Sequence, residues 1–330
     1  MEYFELGSSR IRASRLALGT WAFSGAKIWG SNPEEDSVRT IHMALDHGIN
    51  LIDTADRYGN GAAEAVLGRA LKGRRQQAIV ATKVYTDMLG YEDVLRCCEE
   101  SLRRLDTDYI DLYQIHWPSR EIPLEETFRA FEKLRRDGKV REIGVCNFGA
   151  EDAPRAAALG AAVDQLPYSL VWRVIENKIL PACRAAGLPV WAYVPLGQGL
   201  LSGKYRSIED VPLHRRETRL YSSAWGQGPH SDPGVETELF SFLDELRALS
   251  QESGCAMSEL ALAFLKSRDG VSAVLLGARN EAQLQQNIEA YEAAVPPDAV
   301  ERAVALSETL RKAEGDNADL WVSKGGGRMR

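Results

Sequence analysis

Four residues of different chemistry fall at or just beyond the ends of successive β-rich runs. Asp53 lies near the end of the second run, and Tyr58 follows in the loop Asp53-Thr54-Ala55-Asp56-Arg57-Tyr58-Gly59-Asn60-Gly61. Lys83 ends the third run and His116 the fourth, with Trp117-Pro118 behind it. A phenol titrates near pH ~10 and is a reluctant acid at neutral pH, but a neighbouring ammonium favours the phenolate. Lys83 can supply that charge, Asp53 can hold Lys83 protonated, Tyr58 can then protonate a developing alkoxide, and His116 can donate to the same oxygen. The set lacks a nucleophile, which a hydride from a bound cofactor would supply.

Each residue also has a plain reading: a cap for Asp53, a rim phenol for Tyr58, a snorkelling stem for Lys83 and a core imidazole for His116. Together they favour a site, because a lysine and an aspartate at adjacent strand ends need each other to offset desolvation. A strand-end lysine could instead form a Schiff base in a lyase. A binding module that keeps its cofactor without turnover is the other alternative.

These residues must be positioned by an alternating α/β chain. Eight β-rich runs, 15–20, 50–55, 78–84, 110–116, 140–147, 162–168, 189–195 and 272–277, are separated by helical patterns that include 36–47, 64–71, 92–105, 124–136, 178–186 and 257–266. Further helical patterns follow at 281–292 and 298–312. Runs such as Ala78-Ile79-Val80-Ala81-Thr82 are apolar without alternation, as parallel strands covered on both faces should be. No GxGxxG follows the first run, so a closed (β/α)8 TIM barrel is expected rather than an open dinucleotide-binding sheet. The expected architecture is one domain over residues 1–330, with the four residues at the C-terminal mouth. Residues 2–12 read as a hairpin plug turning at Gly7-Ser8-Ser9, and the pattern at 298–312 as an extra C-terminal helix. Residues 205–234 form a long polar loop after the seventh strand, expected to be a lid over the cofactor or disordered. The closing Gly325-Gly326-Gly327 with Arg328 and Arg330 reads as a frayed tail.

Composition narrows the partners. A net charge of −7 disfavours nucleic acid and anionic membranes, and no run reaches the ~20 apolar residues of a membrane span. The start MEYFELGSSR has no signal-peptide pattern, so a cytoplasmic protein is expected. Five cysteines, with Cys97 and Cys98 adjacent, suit neither a disulfide framework nor a zinc site, and no metal is expected. Nothing in the chain indicates an oligomer. Gly277-Ala278-Arg279 before a helix opening at Glu281 favours a phosphate, since helix N-termini and arginine both do. Trp21, Trp29, Tyr85 and Trp117 fall in rim loops and, with Tyr58 and His116, are candidates for lining a substrate pocket, although plain rim packing would explain them equally.

Several motifs together resemble the aldo-keto reductase superfamily along nearly the whole chain. They are Leu18-Gly19-Thr20-Trp21, Asn50-Leu51-Ile52-Asp53-Thr54-Ala55 running to Tyr58-Gly59-Asn60-Gly61 and Glu64, Thr82-Lys83, and Asp111-Leu112-Tyr113-Gln114-Ile115-His116-Trp117. Ile143-Gly144-Val145-Cys146-Asn147-Phe148 and Pro195-Leu196-Gly197-Gln198-Gly199-Leu200-Leu201-Ser202-Gly203-Lys204-Tyr205 complete the set. Within the superfamily the chain looks closest to the bacterial inositol-catabolism type. The resemblance implies the tetrad Asp53, Tyr58, Lys83 and His116, a small carbonyl substrate and NADPH/NADP+ across the barrel mouth. It implies Asn147 and Gln165 on the nicotinamide amide and Tyr193 under its ring. Gly19, Thr20, Trp21, Asp53, Val194, Pro195, Leu196, Gln198, Leu201 and Lys204 would complete the nicotinamide, ribose and pyrophosphate contacts. Gly277, Arg279, Gln283, Gln286 and Asn287 would hold the adenosine phosphate end. Two departures stand out: Cys146 replaces a common serine, weakening a hydroxyl contact to a thiol one, and Gln283 replaces an arginine found in other branches.

Overall fold

The computed structural model of the protein describes residues 1–25, 30, 32–225, 228–323 and 328–329. Trp29 and the closing glycines therefore lie outside the described residues. β1 (Tyr3–Leu6) and β2 (Ile11–Ser14) form an antiparallel hairpin. Its turn, with Gly7 left-handed, is held by Glu142, which accepts from Ser8 and Ser9. Leu6, Ile11 and Ala13 pack on Ala17, Leu51, Leu112 and Trp191 from the barrel strands, so the hairpin plugs the lower end as expected.

Eight parallel strands close the barrel in the order β10-β3-β4-β5-β6-β7-β8-β9. They are β3 (Leu16–Gly19), β4 (Leu51–Asp53), β5 (Ile79–Val84), β6 (Ile110–Ile115), β7 (Val140–Cys146), β8 (Asp164–Pro167), β9 (Val190–Tyr193) and β10 (Val271–Gly277). β5 and β6 are buried along their whole length, because the barrel interior takes one face and the helices the other. The outer layer comprises α1 (Glu34–Asp46), α2 (Ala62–Ala70), α3 (Tyr91–Leu105), α4 (Leu124–Arg136), α5 (Asp152–Ala158), α6 (Ile179–Ala185), α7 (Glu236–Ser253), α8 (Met257–Lys266) and α9 (Glu281–Glu292). Short α5 and long α7 add to the helices named from the sequence.

Three expectations are corrected. The helix expected over 298–312 is two, α10 (Pro297–Leu306) and α11 (Glu308–Glu314), parted at Ser307. The Ser307 hydroxyl turns back to donate to Val304 O and accepts from Arg173 Nη1 at 2.8 Å, which competes with helix continuation.

Residues 205–234 are not a free polar lid. They contain 3-10 turns at Ile208–Asp210 and Leu213–Arg215 and bury Val211, Leu220 and Tyr221. The reason is a seam with the C-terminal segment. Arg219 Nη1 donates to Asn317 O at 2.7 Å and Asp319 O at 3.0 Å, Arg219 Nε donates to Asp232 at 3.0 Å, and the Ser323 hydroxyl donates to the same carboxylate at 2.8 Å.

Of the expected frayed tail, Arg328 docks on Asp319 and over the Trp117 ring, while Gly325, Gly326, Gly327 and Arg330 lie outside the described residues. The five cysteines are buried and free.

Arg219→Ala should lower stability by about 2 kcal/mol, since it strands two carbonyls on a largely buried seam and leaves Asp232 without its cation. A thermal melt with an unchanged midpoint would contradict this account of the seam.

Candidate active site

Lys83 rises from β5 with a side chain 0% exposed, facing Asp53 of β4 at 4%. A buried ammonium has three protons to satisfy. Nζ lies 2.8 Å from each Asp53 oxygen and 2.8 Å from Thr54 O. Gln165 Nε2 of β8 donates to Asp53 Oδ1 at 2.9 Å, bringing a third strand to the pair. Tyr58 Oη is 3.5 Å from Lys83 Nζ. The turn after Tyr58 requires glycine: Gly59 is left-handed, and a Cβ there would run into the Ser24 carbonyl. The Tyr58 ring stacks on Trp21 with centroids 6.1 Å apart and meets His116 edge-on at 5.8 Å.

Burial pushes the Tyr58 phenol up to about 12, outweighing the downward pull of Lys83, while Asp53 raises it further. This corrects the expectation that the ammonium would dominate: burial keeps the proton on Tyr58. Burial alone would lower Lys83, but the Asp53 charge more than offsets it and Lys83 stays protonated. His116 is pushed well below its ordinary range, by burial first and then by Lys83, Arg328 and Arg57, so the imidazole is neutral. Its Nδ1 is buried with no hydrogen-bond partner among the described residues. Acid, cation and neutral imidazole thus converge in a dry mouth, an arrangement that can give a proton to an oxygen acquiring negative charge.

The residues expected around a dinucleotide lie on the same face. Asn147 is left-handed, accepts from the Tyr193 hydroxyl at 2.8 Å and donates to His116 O at 3.0 Å. The Cys146 thiol donates to Gln114 and Gln165 at 3.5 and 3.7 Å, so it is engaged within the wall. Gly19 pairs in register with Asp53 and Gly277, and the buried Thr20 hydroxyl has no partner among the described residues. After β9 the backbone turns through left-handed Val194, Gly197, Gln198 and Gly199, with Pro195 and Leu196 between them. A β-branched residue such as Val194 avoids this region unless its surroundings enforce it. The Leu196 carbonyl receives the Gly199 and Leu201 N–H groups. A Cβ on Gly199 would meet Lys204 Nζ at 2.7 Å, and Arg215 Nη1 lies 3.3 Å from Gln198 O.

At the far end Asn280 caps α9, Gln283 Oε1 accepts the Arg279 N–H at 3.0 Å, and Asn287 donates to Gly277 O at 3.1 Å; Gln286 lies on the same helix. Enforced turns, the buried Gln198 amide nitrogen, which has no partner among the described residues, and cations along the loop fit a dinucleotide with its pyrophosphate there.

Of the expected rim, Tyr85 meets His116 edge-on at 5.6 Å, and Trp117 is buried beneath Arg328. Sequence reasoning missed Arg215, Trp321 and Arg328. Trp321 meets Trp21 at 6.2 Å and hydrogen-bonds the Tyr193 hydroxyl. These residues sit in segments without periodicity, and the tail gave no signal. Among the described residues no group is arranged to hold a metal, and no helix is long and apolar enough to cross a membrane.

A model of the aldo/keto reductase family matches residues 15–308. An aldo-keto reductase named YhdN of Bacillus subtilis is 38% identical over 298 residues, covering 86% of this chain and 87% of its own length. An NADH-specific methylglyoxal reductase of Escherichia coli is 32% identical over 315 residues, covering 88% and 93%. The crystal structure of an aldo-keto reductase from Klebsiella pneumoniae in complex with NADPH superposes with a TM-score of 0.71 at 29% identity, covering 93% of this chain and 96% of that one.

Asp56, in the Tyr58 loop, carries a separable prediction. Burial, and then the Glu64 carboxylate, raise it to about 6, against a smaller lowering by Arg57 and Arg104. A carboxyl raised on folding contributes stability that is whole below its ordinary range near 3.8 and is lost as pH rises through about 6. Asp56→Asn removes the ionisation, so its stability, read from thermal melts, should match the parent at low pH and exceed it in mildly alkaline buffer by about 3 kcal/mol. Equal melting at both ends of the range would remove the assigned charge burial.

Proposed function

The chain belongs to the aldo/keto reductase family, and from that premise we propose that it reduces small aldehydes or ketones to alcohols with NADPH, using Tyr58 as the proton donor. It is an oxidoreductase by family. Sugar- and inositol-derived carbonyls fall within the proposed substrate class, given the motif likeness to the inositol-catabolism type. The observation that carries the reading is the buried ammonium of Lys83, saturated by Asp53 and Thr54 and 3.5 Å from the Tyr58 hydroxyl. Bound NADPH supplies the hydride to the carbonyl carbon.

Tyr58 gives its proton to the oxygen, and Lys83 stabilises the phenolate that remains. The neutral His116 helps to hold the same oxygen. A Schiff-base role for Lys83 is disfavoured, because an amine held protonated by Asp53 is a poor nucleophile. Asn147, Gln165 and Tyr193 would receive the nicotinamide, Gln198, Lys204 and Arg215 the pyrophosphate, and Arg279 the adenosine 2′-phosphate.

Tyr58→Phe keeps the ring that stacks on Trp21 and removes the proton. Reductase turnover, followed by loss of NADPH absorbance over a carbonyl panel, should fall by roughly a hundredfold or more, while cofactor affinity holds. Near-parental turnover would end the acid assignment.

Cofactor choice is tested at Arg279. The Escherichia coli relative is NADH-specific by name, and the Gln283 carbonyl here is engaged by the Arg279 backbone. We propose that the Arg279 guanidinium, beside the N-terminus of α9, favours the 2′-phosphate. Arg279→Ala should raise the NADPH Kd by about ten- to hundredfold and leave NADH binding nearly unchanged. Equal weakening of both cofactors would assign it a structural role instead.

A further inference from the structure

We propose that the carbonyl substrate bears a carboxylate, received at the mouth by Arg328. The inference rests on the carbonyl reductase reading and specifies which carbonyls the site takes. The Arg328 guanidinium carbon lies 3.3 Å from the centroid of the Trp117 ring, and Trp117 directly follows His116. It is held there by Asp319, which accepts from Arg328 Nε at 3.2 Å and Nη2 at 3.4 Å. Asp319 is fully buried and also receives the Trp321 and Val322 N–H groups at 3.0 and 3.1 Å, so its acceptor capacity is largely spent. Arg328 Nη1 makes no hydrogen bond among the described residues.

A guanidinium fixed on an indole with a donor left over suits a planar oxyanion, since the fork matches carboxylate geometry and stacking limits the freedom lost on binding. The field agrees with the geometry. The charges that bear on His116 are Lys83, Arg328 and Arg57, all positive. Arg57 lies over the Tyr85 ring at 4.4 Å, and Tyr85 meets His116. The walls, Trp21, Tyr58, Tyr85 and Trp117, are aromatic and exclude water, which strengthens the field inside. Lys83, Arg328 and Arg57 each have a carboxylate partner, Asp53, Asp319 and Asp87 in turn, so the anion is received by the donor of Arg328 that its partner leaves over.

The test compares para-carboxybenzaldehyde with its methyl ester, which differ in one charge. In the parent the acid should have a kcat/KM at least about tenfold above the ester. Arg328→Met, which keeps the stem and drops the charge, should bring that ratio close to one. No preference in the parent, or an unchanged ratio in Arg328→Met, would overturn the inference while leaving the reductase reading intact. If neither aldehyde consumed NADPH, the reductase reading would fail. The anion site would then be judged by benzoate quenching of tryptophan fluorescence: quenching lost in Arg328→Met supports it, and absent or equal quenching overturns it.

Discussion

An ammonium without water is the constraint around which the mouth is built. Removing Lys83 from solvent costs several kcal/mol, and the cost is offset only when every proton has a well-placed acceptor. Two oxygens of Asp53 and the Thr54 carbonyl, each at 2.8 Å, meet that demand. The register places Asp53 beside Ala81, so that Lys83, two residues further up β5, reaches back to the carboxylate and the turn above it. Gln165 closes the set from the far wall, so three strands share one charge pair. A slip of one residue in β4 or β5 would turn the ammonium or its carboxylate out of the mouth.

The behaviour of Tyr58 follows from that pair. Its surroundings act in opposite directions: dryness and Asp53 hold the proton, and Lys83 favours its release. The first pair prevails, and the phenol keeps its proton over the physiological range. The balance is useful for a proton donor, because the cation that fails to ionise it at rest is in place to stabilise the phenolate once the proton has left. Gly59 makes the geometry possible, since only a residue without Cβ passes the Ser24 carbonyl.

Much of this was legible in the sequence, for reasons that also mark where legibility ended. The eight strands were readable because a barrel strand buried on both faces leaves a short apolar run between helical patterns. That Asp53, Tyr58, Lys83 and His116 would lie together was readable because Asp53, Lys83 and His116 end three of those runs. The broken C-terminal helix was not, because Ser307 is unremarkable in a helical pattern and acts only through Arg173, which is 134 positions away in the chain. The Tyr58 ionisation was read with the wrong sign, because the sequence shows a neighbouring cation but not the degree of burial. Arg328 was hidden behind glycines that read as a tail, and its position depends on the buried Asp319 and on a ring from the other side of the mouth.

The segments that escaped a periodic reading are those that join the two halves of the site. Arg215 bonds the Gln198 carbonyl on the proposed cofactor side, and Arg219, four residues on, bonds the carbonyls of Asn317 and Asp319. Asp319 in turn holds Arg328 over Trp117 on the substrate side. The loop and the C-terminal segment are sutured again where Asp232 receives both Arg219 and Ser323. Each segment satisfies polar backbone of the other, the Arg219 N–H donating to Leu320 O and its guanidinium to Asn317 O and Asp319 O. Regular elements seat the Lys83–Asp53 pair at the depth of the barrel, and one irregular clamp joins the proposed cofactor side of its mouth to the proposed substrate side.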